Sequence, residues 1–233
     1  IACDGANSFL AKEAGLLPRA DAAHHTLGAK EVLALPASVI EERFGLGPEV
    51  GLDIEAIGGT GGIPGGGFLY TNRDSVSVGV VVSLPGLVES GRRPEDLIAG
   101  FKAHPAIAPY LKGGSVKEYS AHLIPEGGYD HMPALAADGL LVAGDAAGMT
   151  LAAGIWLEGV NFAIGAGLAA GRAAAQAVVR GDTSARGLAA YRRALEQNFV
   201  LKDHIKLRRA PNLILSERMQ QQYTKVICDL AEE

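Results

Sequence analysis

The sequence predicts a mixed α/β chain, α+β in its arrangement. Two pieces of a parallel-sheet layer flank an antiparallel β block, and helices follow at the C-terminal end. Three observations carry this expectation. "GLLVAGDA", from Gly139, is a continuous apolar run that stops on Gly-Asp, the pattern of a strand buried on both faces. "GGFLYTNRDSVSVGVVVSL" reads as an apolar strand, an Asn-Arg-Asp-Ser turn and a second strand with Val76, Val78 and Val80 in period two. "AGIWLEGVNFAIGAGLAAGRAAAQAVVRG" reads as a long Ala/Gly-rich helix ending at Gly181, whose small residues allow close approach to the sheet.

At 233 residues the chain holds one large domain or two small ones, with ample length for a core. Apolar residues make up 48% and aromatics only 6%, so the core is built mostly from Ala, Val, Leu and Ile. The 31 glycines point to close backbone packing or to backbone contact with a ligand. A formal charge of −5 argues against nucleic acid, which needs a concentrated basic surface. Cys3 and Cys228 match no metal spacing and suit a reduced state. The longest apolar tract, Gly159 to Gly171, is 13 residues, too short to cross a bilayer. The opening "IACDGANS" has the texture of a strand end, so the chain is expected to be a piece of a longer protein.

The elements follow in order. "CDGANSFLAKEAGL" is a strand end, a Gly turn and a short helix, with Asn7 or Ser8 as N-cap and Gly15 as C-cap. His25 to Leu35 has strand composition. "PASVIEERFGL" is a helix opened by Pro36 and stopped by Gly45. "VGLDIEAIGG" alternates weakly and precedes the hairpin. "RPEDLIAGFKAHPAIAPYL" is helical, interrupted at Pro105. Gly114 to Gly128 is one more strand entering a Pro-Gly loop. After the long helix, "TSARGLAAYRRALEQNFVLKDHIKLRRAP" gives one or two amphipathic helices, and the segment from Asn212 to Glu233 is helical.

Two acidic loop tips stand out. Asp145 follows an apolar strand and precedes the long helix. Gly144 and Gly148 leave room for a ligand's approach, and the helix start supplies N–H donors and partial positive charge. A carboxylate there can accept hydrogen bonds from sugar-like hydroxyls; the alternative role is a helix N-cap. Asp4 and Gly5 repeat the pattern at the start of the chain. In open parallel sheets, ligands sit at the carboxyl ends of the strands.

The pairing of "ACDGANS" early with "GDAAGMTLAAGIWLEGVNFAIGAG" late, around a β block, resembles the flavoprotein family of the p-hydroxybenzoate hydroxylase and geranylgeranyl reductase type. Within it, the chain is similar to the branch of FixC and electron transfer flavoprotein–ubiquinone oxidoreductase. "GGGFLY", "VSVGVVVSL", "FKAHPAI" and "YSAHLIPEGGY" are similar to that branch's segments in the same order. The resemblance covers nearly the whole chain. It implies an FAD-dependent oxidoreductase: part of an FAD-binding, Rossmann-like layer over 1–23 and 131–182, an antiparallel β substrate or quinone domain over 24–130, and C-terminal helices over 183–233. It implies that Asp145 holds ribityl hydroxyls of FAD with Gly144 giving access. The helix start around Ala153 to Leu157, with Gly154, Ile155 and Trp156, would aim N–H groups at the flavin. Gly148, Asp4 and Gly5 would also lie against the cofactor. Gly65 and Gly66, within the seven glycines of "GGTGGIPGGG", would contact a quinone head through backbone groups. In that comparison Pro64 stands where the quinone oxidoreductase has an aromatic residue.

Two departures shape the expectation. The family's N-terminal Gly-x-Gly-x-x-Gly loop for the ADP part of FAD is absent from this sequence, so full FAD affinity is not expected of these residues, and the piece alone is expected to be inactive. The C-terminal part has one cysteine, too few for an iron–sulfur cluster, which favours the FixC side with a separate ferredoxin-like partner. The implied route runs from an electron transfer flavoprotein towards quinone and that partner, supporting nitrogen fixation. The implied location is the cytoplasm, with peripheral attachment to the inner face of the cytoplasmic membrane as an option. The alternatives are an FAD-dependent geranylgeranyl reductase or aromatic hydroxylase on the same fold, and a cofactor-free structural piece.

The remaining residues weigh less. His24 and His25 are adjacent and would point apart; His104, His122 and His131 show no ligand spacing, and no metal is expected. Glu158 and Asn161 share a helix face as a polar contact or a proton relay. Trp156 fills the core or packs near the flavin. "RRALEQNFVLKDHIKLRR" is a solvated face or a membrane or partner patch.

Overall fold

The computed structural model describes residues 1–17, 22–154, 157–216 and 218–232. The chain divides into two units, one of residues 1–25 and 123–214, the other of 26–122 and 215–233.

The second unit is built on a five-stranded sheet: β1 (His25–Ala34), β2 (Asp53–Ile57), β3 (Gly65–Thr71), β4 (Ser75–Ser83) and β5 (Ser115–Pro125), in the order β2-β3-β4-β1-β5. β2 to β3, β3 to β4 and β4 to β1 pair antiparallel, with Leu69 opposite Val78 and Val80 opposite Ala29. Period-two alternation sends Val76, Val78, Val80, Val82 and Leu69 to one face, where they are buried. Over them lie α2 (Ala37–Phe44), α3 (Leu84–Ser90), α4 (Pro94–Ala103) and α5 (Ala108–Leu111), contributing Ile40, Leu87, Ile98 and Phe101 to one core. Each helix has a local cause. Pro36 and the left-handed Gly45 bracket α2. Ser83 caps α3, whose opening proline and closing Gly91 are signals that the reading above left unassigned. Gly67 has a packing role: a Cβ there would stand 2.4 Å from the Phe101 ring, so the ring occupies the space a side chain would take.

The first unit opens with α1 (Phe9–Glu13), capped by Ser8, whose Oγ accepts from Ala11 N–H. The C-cap is Ala14 rather than Gly15. Gly15 follows in the left-handed region at φ +70°, its N–H on Lys12 O, while Leu16 N–H reaches Ala11 O, a Schellman closure. The long helix, α6 (Val160–Arg180), closes at Gly181 as expected. Phe162, Ala166, Ala170, Ala173 and Ala177 are buried against Leu141 and Val142 and against α7 (Ala190–Gln197) and α8 (Phe199–Lys206). Gly165 lets α8 approach, since a Cβ there would stand 2.8 Å from the Phe199 ring. Tyr191 is fully buried and donates its hydroxyl to Val142 O at 2.9 Å. His204 is also fully buried. Its Nδ1 lies 2.6 Å from Val200 O and its ring meets the Phe162 edge.

Three expectations change here. The run from Leu140 does not form a long parallel strand. Leu140–Leu141 pairs antiparallel with Ala136–Ala137, and the parallel ladder among the described residues is a single bridge between Ala2 and Val142. Second, α6 starts at Val160, not around Ala153 to Leu157. Leu151–Ala152 and Leu157–Glu158 pair as a small hairpin, which diverts the backbone before the helix. Third, the helix containing the 13-residue apolar tract is 21 residues long, long and apolar enough to span a membrane by length and composition. A third of its apolar window is buried within the protein, and a core helix passes the same test.

The C-terminal end carries α9 (Ala210–Ile214), a π-helical stretch (Arg218–Tyr223) and α10 (Thr224–Glu232).

Candidate functional site

In the first unit the chain brings Asp4 and Asp145 to the same end of one parallel pair. Ala2 N–H donates to Leu141 O at 2.7 Å and Ala143 N–H donates to Ala2 O at 3.0 Å. Both strands therefore run in one direction. Asp4 follows its bridge residue by two positions and Asp145 follows Val142 by three, so both lie beyond the carboxyl ends of the pair, where open parallel sheets take ligands.

The two carboxylates differ in state. Asp4 is committed to α1: Ser8 Oγ donates to its Oδ1 at 2.6 Å and Leu10 N–H to its Oδ2 at 3.2 Å. Slight burial pushes its carboxyl up, but the bonds from Ser8 and the backbone outweigh this and hold it below the usual range. Gly5 turns the chain at φ +82° with open space where a Cβ would be. Asp145 is not an N-cap. It sits inside a short 3-10 turn, Gly144–Ala147, whose N-cap is Ala143. Its half-buried carboxyl is pushed up by burial, and among the described residues nothing donates to it.

Small residues frame that carboxylate. Gly144 adopts φ +66°, and a Cβ on it would meet Ala163 Cβ at 3.5 Å, so α6 passes close by. Gly148 ends the turn in the left-handed region with open space beside it. Gly159 is the N-cap of α6. A Cβ there would stand 3.2 Å from Thr150 Cγ2 and 3.9 Å from Asp145 Oδ1. The helix start thus lies beside Asp145, although it begins later than expected, and its first-turn N–H groups have no acceptor within the helix. Thr150 is buried and its hydroxyl bonds Pro125 O. Gly159 and Thr150 are site residues that the sequence reading missed; the signal for Gly159 was a lone glycine directly before an apolar helical run. Gly154 is exposed near the tip of the small hairpin, and Ile155 and Trp156 lie outside the described residues. Glu158 and Asn161 hydrogen-bond each other at 2.8 Å on the surface.

A polyol-bearing cofactor fits what is present: a half-buried carboxylate without a donor among the described residues, glycines that keep the approach open, and a helix start for an electron-rich edge.

In the second unit, Gly65 and Gly66 begin β3. Gly65 adopts φ +149°, and a Cβ on it would stand 2.1 Å from Val81 O; one on Gly66 would stand 2.4 Å from Ala56 O. Both must therefore be glycine for the sheet to close. Gly65 N–H is engaged by Gln220 Oε1 at 3.2 Å, a partner 155 residues away that no local pattern announces. On the sheet face opposite the helices, Phe68 and Tyr70 stack at 5.8 Å, with Glu55 and Asp53 opposite them on β2. Burial first, and then Asp53 beside it, push the Glu55 carboxyl up to about 7.

Elsewhere, the His24 and His131 rings meet tilted at 34° with centroids 3.5 Å apart, a contact that the sequence did not reveal. Among the described residues no group of three His, Cys, Asp or Glu gathers as metal ligands.

No family model matches the chain. The probable electron transfer flavoprotein-quinone oxidoreductase YdiS of Escherichia coli K12 is 39% identical over 234 residues, which is all of this chain and 54% of that protein. FixC of Salmonella typhi is 39% identical over the same shares. FixC of Azorhizobium caulinodans is 39% identical over 220 residues, 92% of this chain and 49% of that protein. Among solved structures, a geranylgeranyl bacteriochlorophyll reductase-like protein from Thermoplasma acidophilum superposes with a TM-score of 0.58 at 14% identity, over 82% of this chain and 45% of that one. A triple mutant of the flavin-dependent brominase Bmp2 gives 0.59 at 20% identity, over 97% and 55%. These two share the fold. The chain spans about half the length of the curated relatives it matches. Over its whole length it belongs to the FixC and electron transfer flavoprotein–quinone oxidoreductase family.

Proposed function

We propose that the chain is the part of an FAD-dependent oxidoreductase that holds the flavin end of the cofactor, in an enzyme passing electrons from an electron transfer flavoprotein to quinone and a ferredoxin-like acceptor. The observation that carries this reading is Asp145: a half-buried carboxylate with no donor among the described residues, at the carboxyl end of a parallel pair and beside a helix start. Asp145 would accept hydrogen bonds from ribityl hydroxyls. The first turn of α6, from Gly159, would place N–H groups and the positive helix end against the electron-rich edge of the ring, favouring its reduced form. Asp4 already holds α1, so its part is to fix the Gly5 turn rather than to bind through its carboxylate. Gly65 and Gly66 would offer backbone groups to a quinone carbonyl. Bound FAD would supply the two-electron chemistry. The names of the relatives support the donor and the quinone; the ferredoxin-like partner, the role in nitrogen fixation and a cytoplasmic or membrane-peripheral place are parts of the proposal.

The test separates the two ends of the cofactor. FMN, which carries the ribityl flavin, should shift the backbone amide signals of Gly144, Gly148 and Gly159 in 15N-labelled protein, and AMP should not. A response to AMP alone, or to neither, would refute the assignment.

A further inference from the structure

Gly65 N–H, the donor assigned above to a quinone carbonyl, is already taken by a carbonyl oxygen of the chain itself. Gln220 Oε1 sits 3.2 Å from it. A carboxamide oxygen and a quinone oxygen present the same chemistry to that donor: a neutral, two-lone-pair acceptor on an sp² carbon.

The element that carries Gln220 is suited to hold it there and to release it. Arg218–Tyr223 is a π-helical stretch, a wide turn rare in proteins and frequent at functional sites. Gln220 is fixed at both backbone groups: its N–H donates to Ser216 O at 3.0 Å and its carbonyl accepts from Thr224 Oγ1 at 2.8 Å. Its side chain is therefore presented from an anchored backbone. The helix beyond is not locked into a core. Val226, Ile227 and Leu230 of α10 are 53%, 65% and 67% exposed, so little apolar burial would be lost if the segment moved aside. Gly65 itself belongs to the central sheet, in register with Val82 of the neighbouring strand.

We infer that Gln220 is a built-in competitor for the Gly65 donor: the C-terminal segment holds the site with its own carbonyl, and a quinone-class ligand binds by displacing that side chain. This inference rests on the assignment of Gly65 to a quinone. It makes the apparent affinity for quinone depend on the Gln220 contact, by the factor that one hydrogen bond confers.

The experiment follows the amide exchange of Gly65 in the 15N-labelled chain, with ubiquinone-1 as the probe. In Gln220→Leu the Gly65 amide should exchange about 5-fold faster, the worth of one net hydrogen bond. Gln220→Glu, which keeps an acceptor of similar reach, should leave it protected. Ubiquinone-1 should restore protection in Gln220→Leu at a concentration about 5-fold lower than it needs to bind wild type. Unchanged exchange in Gln220→Leu overturns the contact. Faster exchange with no protection by ubiquinone-1 in any variant overturns the quinone assignment on which the inference rests, while the contact stands. Equal affinity for wild type and Gln220→Leu overturns the competition alone.

Discussion

Asp145 and Gly159, 14 positions apart in sequence, face each other so closely that a Cβ on Gly159 would stand 3.9 Å from Asp145 Oδ1. The small hairpin between them, Leu151–Ala152 with Leu157–Glu158, folds the chain back and delivers the α6 start to the carboxylate. Gly159 has φ −150° and ψ −41°, outside the regular helical and extended regions, and its missing Cβ leaves space beside Thr150. Gly159→Val is expected to press on Thr150, only 3.2 Å from the first added atom. The expected cost is about 1–3 kcal/mol of stability, with loss of flavin binding. Chemical denaturation checks the first part, and Gly159→Ala should fall between.

Phe101 stands on Gly67, and this contact should register as coupling. Gly67→Ala places a methyl 2.4 Å from ring carbons that are themselves buried. It is expected to cost about 1–3 kcal/mol. In a Phe101→Leu background the same change should cost at least about 0.5 kcal/mol less, measured as a double-mutant cycle by urea unfolding.

The buried His204 sets one pH dependence. Burial pushes its imidazole below the ordinary value near 6.5, against smaller opposing effects from the backbone at Val200 and Thr150 and from Asp203. The neutral form is favoured when folded, so this contribution is present above pH 6.5 and is lost as pH falls below it. Melting temperature should therefore drop as pH falls below about 6.5. His204→Phe, of similar volume, should flatten that part of the profile.

Glu55 acts in the opposite direction. Its carboxyl is raised from 4.5 to about 7, first by burial and then by Asp53. A raised carboxyl favours the protonated folded form, so the contribution is complete below pH 4.5 and fades as pH rises through 7. Glu55 is exposed as a residue, although its carboxyl is partly desolvated, so screening reduces the effect to at most roughly 1 kcal/mol. Glu55→Gln should remove this decline with no change below pH 4.5, read from denaturation midpoints across the series.

Much of the fold was legible because its signals are local. Pro36 and Gly45 bracket α2, the turn after Thr71 sets the hairpin register, and Gly181 stops α6. The Gly-Asp turn at 144–145 showed in the abrupt change from apolar to small residues. What stayed hidden depends on distance or on which partner a segment finds. Leu140–Ala143 has the composition of a buried parallel strand, but among the described residues it makes one parallel bridge, from Val142 to Ala2, and pairs antiparallel with Ala136–Ala137. The start of α6 was misplaced because helix-compatible residues from Ala153 onwards are diverted by a two-residue ladder. Asp4 looked like a twin of Asp145, yet Ser8 and Leu10 engage it, whereas among the described residues nothing donates to the Asp145 carboxylate. The bond from Gly65 to Gln220 has no signature at all in a one-dimensional pattern.

The central claim is that Asp145 is the anchor for the ribityl chain of a flavin. An FAD titration of this chain, followed by quenching of flavin fluorescence, tests it directly for wild type and Asp145→Ala. Wild type is expected to quench saturably, and the variant to bind with a dissociation constant roughly 10–100-fold higher, the worth of a hydrogen bond to a charged group. Equal dissociation constants for the two proteins, or no quenching by wild type, would contradict it.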